Sequence, residues 1–167
     1  MLNKAVQDHL NTHLNIHFTI AYFYLGLTAY FRSKVLNGFA GWSQNQAQAR
    51  LMQGGTIFSH IDERNGDVNL TEVPAPPINW DSPLAAIQDA YAREQELTKR
   101  IYQAMDTAKK DGDKATVVFL SGFVQQQVHH ENTLYELVQK LTFIGNAPGG
   151  IFMLDASLAG ITPPQQA

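Results

Sequence analysis

Polar residues that could bind a metal fall at one level of a predicted helical core. His17, Gln53, Glu94 and Gln127 interrupt four stripes of apolar residues that recur at spacings of three and four. Imidazole and carboxylate groups together suit zinc, copper or iron. Burying such groups costs on the order of a few kcal/mol each unless they bond to one another or to a metal. The layer therefore predicts either a metal site or a closed network of hydrogen bonds.

A guanidinium group in the same layer changes what the layer can hold. Arg50 lies one turn from Gln53 on the second predicted helix, and guanidinium does not lose its proton in proteins. A second positive charge about 4 Å away costs ~4 kcal/mol at an effective dielectric constant of roughly 20. The planar fork of Arg50 can instead bind Glu94 through two hydrogen bonds. We expect such a metal-free network, completed by His17, Gln53 and Gln127.

A mononuclear metal site is the alternative. His130 lies one turn beyond Gln127 on the fourth predicted helix, so it can reach the same layer. A single zinc, copper or iron ion would then be held by His17, Glu94 and His130, with Gln127 as a further candidate ligand. This site requires Arg50 to point away from it. It would make the protein a mononuclear metalloenzyme or a metal sensor.

The first predicted helix also carries a histidine at every fourth position, His9, His13 and His17. Neighbouring histidines at this spacing can chelate a divalent ion. His9 falls outside the apolar stripe of its helix. We therefore expect this row to be solvated or to lie at an interface between subunits.

Composition excludes several classes of protein. The chain has 167 residues, a formal net charge of −3 and no cysteine, which excludes disulfide scaffolds, zinc–thiolate sites and iron–sulfur clusters. It has no cluster of lysine and arginine for nucleic acid and no run of roughly 18 apolar residues for a membrane. Charged residues make up 16% of the chain, below the usual share of about 25%. We expect a cytoplasmic domain whose surface is covered largely by copies of itself.

The positions of the prolines divide the chain into helices. All seven prolines lie between residues 74 and 83, at 148, or at 163 and 164, and proline breaks helix interiors. Gly38, Gly66 and Gly112 divide the two long proline-free blocks further. With the apolar stripes, these breaks predict the helices of a single domain over residues 1–167. The expected helices span about 3–34, 39–65, 83–110, 114–145 and 150–159.

The lengths of the connections predict the topology. Short connections join the first two helices and the next two, so each of these pairs forms an antiparallel hairpin. Residues 67–82 contain three prolines and, at ~3.3 Å per residue, can run the length of a ~45 Å helix. We expect an all-α, up-down-down-up four-helix bundle with a long crossover loop and a short fifth C-terminal helix.

This plan and several local sequences resemble the ferritin family, specifically the bacterial non-haem ferritins. The resemblance runs from Met1 to about Asp155, and its best local matches are Leu10-Asn11, Asn15, Tyr24, the segment 91–101 with Glu94-Gln95, and Phe119-Leu120 leading to Gln127. It implies a ferritin-like bundle that associates into a hollow shell, a 24-mer, and stores iron as a mineral. It also implies a dinuclear iron centre, built from carboxylates and one histidine, that oxidises ferrous iron.

The chain departs from that centre at most of its ligand positions. In chain order the six positions read His17, Arg50, Gln53, Glu94, Gln127 and His130, and the tyrosine beside them is kept as Tyr24. Only Glu94 and Gln127 match the family. A basic residue at the position of Arg50 resembles the inactive light-chain subunits of animal ferritins. The resemblance therefore implies a ferritin subunit whose own dinuclear site is inactive, with Arg50 in place of the metal.

The resemblance also limits cofactors and partners. Haem is not expected, because Leu51 stands where bacterioferritins have their haem-binding methionine. DNA binding of the miniferritin kind is not expected either, because the chain lacks a basic tail and has a fifth helix. We expect a shell subunit that takes up iron slowly by itself or co-assembles with an active ferritin subunit.

Overall fold

The computed structural model describes residues 2–160, which contain five α-helices and no strand. The helices are α1 (Lys4–Ser33), α2 (Asn37–Glu63), α3 (Pro83–Lys110), α4 (Lys114–Ile144) and α5 (Pro148–Ala159). All of these bounds lie within two residues of those expected from the sequence. Met1 and residues 161–167 of the predicted domain lie outside the described residues.

Contacts between helix ends establish the directions of the helices. Asn3 Nδ2 donates to Asp111 Oδ1 at 2.6 Å, so the start of α1 meets the end of α3. Arg64 Nη1 donates to Asp113 Oδ1 at 3.0 Å, which joins the end of α2 to the start of α4. α1 is therefore antiparallel to α3, and α2 is antiparallel to α4. The predicted up-down-down-up bundle is confirmed.

Asparagine side chains on α1 hold the crossover between α2 and α3 in place. Asn11 Nδ2 donates to the Asp67 carbonyl oxygen at 2.8 Å, and Asn11 Oδ1 accepts from the Asn69 amide at 2.7 Å. One turn later, Asn15 Nδ2 donates to the Asn69 carbonyl oxygen at 2.8 Å, and Asn15 Oδ1 accepts from the Thr71 amide at 2.9 Å. These asparagine side chains thus give the backbone of the crossover the hydrogen-bond partners that a helix or sheet would otherwise supply.

The short helix α5 closes one end of the bundle. Asp155 Oδ1 accepts from the Phe39 amide at 2.8 Å, which gives a partner to one of the free N–H groups at the start of α2. A Cβ on Gly38 would overlap the Asp155 carbonyl oxygen, so only glycine permits this approach. Leu158 completes the contact and is buried.

An exposed apolar groove runs between α1, α2 and the crossover. Its volume is about 400 Å³, and its lining residues, all but one of them apolar, are Phe18, Ala21, Tyr22, Leu25, Ala47, Gln48, Leu51 and Val73. Leu25 and Leu51 are 48% and 58% exposed. Contiguous exposed apolar surface marks a site of interaction. None of the helices within residues 2–160 is both long and apolar enough to cross a membrane.

Asp113 caps α4 and is the basis of a first prediction. Its Oδ1 accepts from the Thr116 amide at 3.1 Å as well as from Arg64. We expect Asp113→Ala to lower the free energy of unfolding by about 1–2 kcal/mol, because α4 loses its N-cap. Asp113→Asn should cost less, since asparagine caps helices equally well. Urea titrations followed by far-UV circular dichroism measure both values, and equal losses would contradict the capping role.

The loss of stability caused by Asp113→Ala should become smaller in acid. Burial raises the pKa of Asp113, but hydrogen bonds from Thr116 and Arg64 lower it by more, so that it falls below its usual 3.8. The stability that this carboxylate contributes is therefore present above the usual pKa and disappears as the pH falls through the lowered one. The difference between the natural chain and Asp113→Ala should shrink in the same range.

Candidate functional site

The centre of the bundle holds a buried ion pair between α2 and α3. Arg50 and Glu94 lie near the middles of these helices and are 3% and 0% exposed. Arg50 Nη2 donates to Glu94 Oε2 at 2.6 Å, and Arg50 Nε donates to Glu94 Oε1 at 3.1 Å. Two parallel hydrogen bonds between planar groups are the strong and geometrically specific form of this interaction. The structure thus joins the guanidinium to the carboxylate through both of its oxygens.

Three further side chains complete the hydrogen bonding of Glu94. Tyr24 Oη donates to Glu94 Oε1 at 2.8 Å, and Gln127 Nε2 donates to Glu94 Oε2 at 2.8 Å. His130 Nε2 lies 3.2 Å from Glu94 Oε1 and 2.9 Å from the Tyr24 hydroxyl. A carboxylate offers about four acceptor positions. Together with Arg50, these donors leave Glu94 no free lone pair for another cation.

The charge of Arg50 keeps Glu94 ionised in spite of its burial. Burial raises the pKa of Glu94, but Arg50, then His130 and the hydrogen bonds from His130 and Gln127, lower it by more, to about 2. Burial, and then the charge of Glu94, raise the pKa of Tyr24 well above its usual 10.0. The tyrosine therefore keeps its proton and acts as a donor. Arg50 and Glu94 therefore face each other as a cation and an anion at neutral pH.

Two glutamine side chains cover the ion pair on its outer side. Gln53 Oε1 accepts from Arg50 Nη1 at 2.8 Å, and Gln53 Nε2 donates to Gln126 Oε1 at 2.6 Å. Arg50 Nη2 also donates to Gln127 Oε1 at 3.1 Å. The sequence does not indicate that Gln126 joins this network, because it lies outside the apolar stripe of α4. Its only signal is its place directly before Gln127.

His17 does not join the network, contrary to the expectation from the sequence. Its Nε2 lies 3.3 Å from the Nε2 of His13, one turn earlier on α1. Both imidazoles are fully buried, and both meet Phe123 edge to face, with ring centroids 5.4 and 5.7 Å away. The expectation fails because α1 turns His13 into the core as well, so the two rings bond each other. The prediction of a solvated or interfacial row is therefore wrong for both His13 and His17.

The three residues of the alternative mononuclear site do not come together either. Glu94 and His130 are in contact, but His17 is bonded to His13. Among residues 2–160, no three His, Cys, Asp or Glu side chains lie where they could hold one metal ion. Arg50 also points into the layer, whereas that site required it to point away. The structure therefore gives the mononuclear site no support.

The ion pair predicts non-additive effects of substitution. Arg50→Met should lower the free energy of unfolding by about 3–5 kcal/mol, because it leaves a buried carboxylate without its counter-ion. Glu94→Gln should also destabilise, since it leaves a buried guanidinium without one. The double variant should lose clearly less than the sum of the two losses, because neither charge remains.

Chemical denaturation of the four proteins in this cycle measures the coupling. A matched surface pair, Arg100 and Glu96 at 3.0 Å and half exposed, serves as the control. Its cycle should give a coupling of less than about 1 kcal/mol. Additive losses for Arg50 and Glu94 would contradict the interpretation of the two side chains as one electrostatic unit.

Because His13 and His17 are buried as a pair, we expect the free energy of unfolding to decrease in mild acid. Burial, followed by the charge of Arg50, lowers the pKa of His13 to about 3. Burial, then His13 and then Arg50, hold the pKa of His17 well below its usual 6.5. The folded chain therefore keeps both rings neutral where the unfolded chain protonates them. The stability that these rings contribute is complete above the usual pKa and falls as the pH decreases from about 6.5 toward 3.

Denaturation at a series of pH values tests this. A His13→Leu/His17→Leu variant should lose less stability than the natural chain when the pH is lowered from about 6.5 to 5. His129→Leu makes the same substitution at an exposed position and should follow the natural chain. Identical pH dependence in the natural chain and the double variant would contradict the prediction.

Comparison with known proteins identifies the class of this bundle. A family model described as Ferritin-like domain matches residues 7–144. The bacterial non-heme ferritin of Staphylococcus saprophyticus is 33% identical over 159 residues, which cover 95% of this chain and 95% of the relative. That of Staphylococcus aureus is 30% identical over 162 residues, which cover 97% of this chain and 98% of the relative.

Solved structures lead to the same class. An open pore ferritin from the hyperthermophilic archaeon Archaeoglobus fulgidus superposes with a TM-score of 0.94 at 36% identity, over 97% of this chain and 99% of that one. A humanized archaeal ferritin superposes with a TM-score of 0.94 at 33% identity, over 98% of this chain and 100% of that one. The chain therefore belongs to the ferritin family.

Proposed function

We propose that this chain is a ferritin shell subunit that stores iron without oxidising it at the centre of its own bundle. The observation that carries the proposal is the bidentate ion pair between Arg50 and Glu94. A guanidinium group and its hydrogen bonds occupy the level at which the family would bind two ferrous ions as substrate. The role of the subunit would then lie in forming the shell and in holding the mineral.

The charge at this level supports the proposal. Two ferrous ions bring four positive charges, whereas the buried pair of Arg50 and Glu94 is neutral as it stands. Each ion placed about 4 Å from the guanidinium would meet a repulsion on the order of 8 kcal/mol, twice the ~4 kcal/mol of a unit charge at an effective dielectric constant of roughly 20. Glu94, the one fully buried carboxylate among residues 2–160, is already neutralised. A dinuclear iron centre does not fit these residues.

The hydrogen bonds support it independently of the charge. Glu94 accepts from Arg50, Tyr24 and Gln127, so an iron ion would have to displace at least one of these donors. Leaving a buried donor unpaired costs about 1–3 kcal/mol, and more when the donor is charged. The network is therefore a stable alternative to metal binding.

The surface supports self-association. The groove between α1, α2 and the crossover has an apolar lining, and exposed apolar surface favours contact with a partner. We include in the proposal a hollow shell, a 24-mer located in the cytoplasm. Such a shell would fill slowly if made of this chain alone, and faster if an active ferritin subunit co-assembles with it.

Ferrous oxidation tests the proposed function directly. The assembled natural protein is loaded with ferrous iron without oxygen and then pulsed with oxygen, and the ferric absorbance is followed. We expect no rapid phase at two irons per subunit. A His17→Glu/Arg50→Glu/Gln53→His variant should gain a rapid phase, because it removes the guanidinium and supplies two carboxylates and an imidazole at the positions that the family uses.

A control separates the local effect from a change in net charge. An Arg100→Glu/Gln103→Glu variant makes the same change of three charge units at exposed positions of α3 and should leave oxidation as slow as in the natural protein. Native mass measurement of each assembly confirms that the variants are compared in the same state. A rapid phase at two irons per subunit in the natural protein would overturn the proposal.

A further inference from the structure

His17 bonds to His13 rather than to the ion pair of Arg50 and Glu94. Its Nε2 is engaged with the Nε2 of His13 at 3.3 Å, and the two rings meet at an interplanar angle of 75° with centroids 4.5 Å apart. Neither Nδ1 atom of the two rings has a hydrogen-bond partner among the described residues. Among the described residues, the contact between the two Nε2 atoms is therefore the one side-chain hydrogen bond of either ring.

Phe123 supplies the second of these contacts. From α4 it packs edge to face against both imidazoles, at 73° to His13 and 66° to His17. Its ring is buried, so rotation of His17 would have to displace a large apolar side chain. Cores are packed tightly enough that such a displacement is costly. The two imidazoles and the phenyl ring therefore form one packed unit, which we call the histidine–phenylalanine cluster (His13, His17 and Phe123).

We propose that His13 is a positioning residue that, together with Phe123, prevents His17 from binding a metal ion. Two separate features then block metal binding at the centre of the bundle, and we call each of them a closure. This inference rests on the proposed function, in which the centre holds no iron. The first closure is the ion pair of Arg50 with Glu94. The second is the histidine–phenylalanine cluster, which removes the donor that α1 contributes at this level.

The two closures are separate in the structure. Arg50 makes its hydrogen bonds to Glu94, Gln53 and Gln127, on α3, α2 and α4. The histidine–phenylalanine cluster consists of residues from α1 and α4 that share none of these bonds. Removing the guanidinium therefore breaks none of the hydrogen bonds or ring contacts that hold His17. Substitution of the second helix alone should give an incomplete metal site.

Cobalt(II) binding tests the second closure. An Arg50→Glu/Gln53→His background supplies ligands from α2 while leaving His17 in place. Adding His13→Leu removes the imidazole that holds His17 and keeps a side chain of similar volume. We expect cobalt(II) alone to bind about tenfold or more tightly after this addition, with a change in its visible spectrum as a nitrogen ligand joins. Further substitution of His17→Leu should reverse both effects.

Controls keep the result specific to the cluster. His9→Leu, one turn earlier on α1 and outside the cluster, should change neither the affinity nor the spectrum. Phe123→Leu should act in the same direction as His13→Leu, since it loosens His17 from the other side, and it provides a second route if His13→Leu does not fold. Far-UV circular dichroism and native mass show which variants are folded and assembled.

The outcomes distinguish this inference from the proposed function. If cobalt(II) binds with the same affinity and spectrum whether or not His13 or Phe123 is substituted, His17 is not withheld and the second closure is wrong, while the ion pair still accounts for an inactive centre. If the natural protein oxidises two irons per subunit rapidly, the proposed function is itself wrong.

Discussion

One buried ion pair determines how the middle of this bundle is built. Arg50 is a permanent cation with no access to water, so it requires a partner of opposite charge, and Glu94 is the partner that α3 supplies. The other polar side chains of the layer are oriented by these two groups. Tyr24 and Gln127 donate to the carboxylate, and Gln53 accepts from the guanidinium. All four long helices thus contribute to one neutral network, where a metal site would require an excess of negative charge.

Much of this could be predicted from the sequence, because the causes are local or are dictated by charge. The helix bounds follow from proline, which has no amide hydrogen to donate, from the glycines between the segments, and from the periodicity of apolar residues along each segment. The pairing of Arg50 with Glu94 follows because a buried layer with one cation and one anion has a single way to become neutral. Gln53 lies one helical turn from Arg50, and Gln127 lies on the helix next to that of Glu94. Both are therefore within reach of the same two groups.

The remainder depends on geometry that no single helix carries. Whether His17 bonds to Glu94 or to His13 is decided by the rotation of α1 and by Phe123, which arrives from α4. Gln126 lies on an exposed face and joins the network only because Gln53 extends toward it. Asn11 and Asn15 have the spacing of an ordinary polar helix face, and nothing in that pattern indicates a partner more than fifty residues away.

The asparagines of α1 have a consequence for how this chain tolerates change. Four residues of helix rise about 6 Å, and two residues of extended chain cover about 6.6 Å, so the two repeats nearly coincide. Asn11 and Asn15 therefore bind every second residue of the crossover, and they bind only its backbone atoms. These bonds therefore place no demand on the amino-acid identity at Asn69, whereas the insertion of a single residue there would leave every later bond out of register.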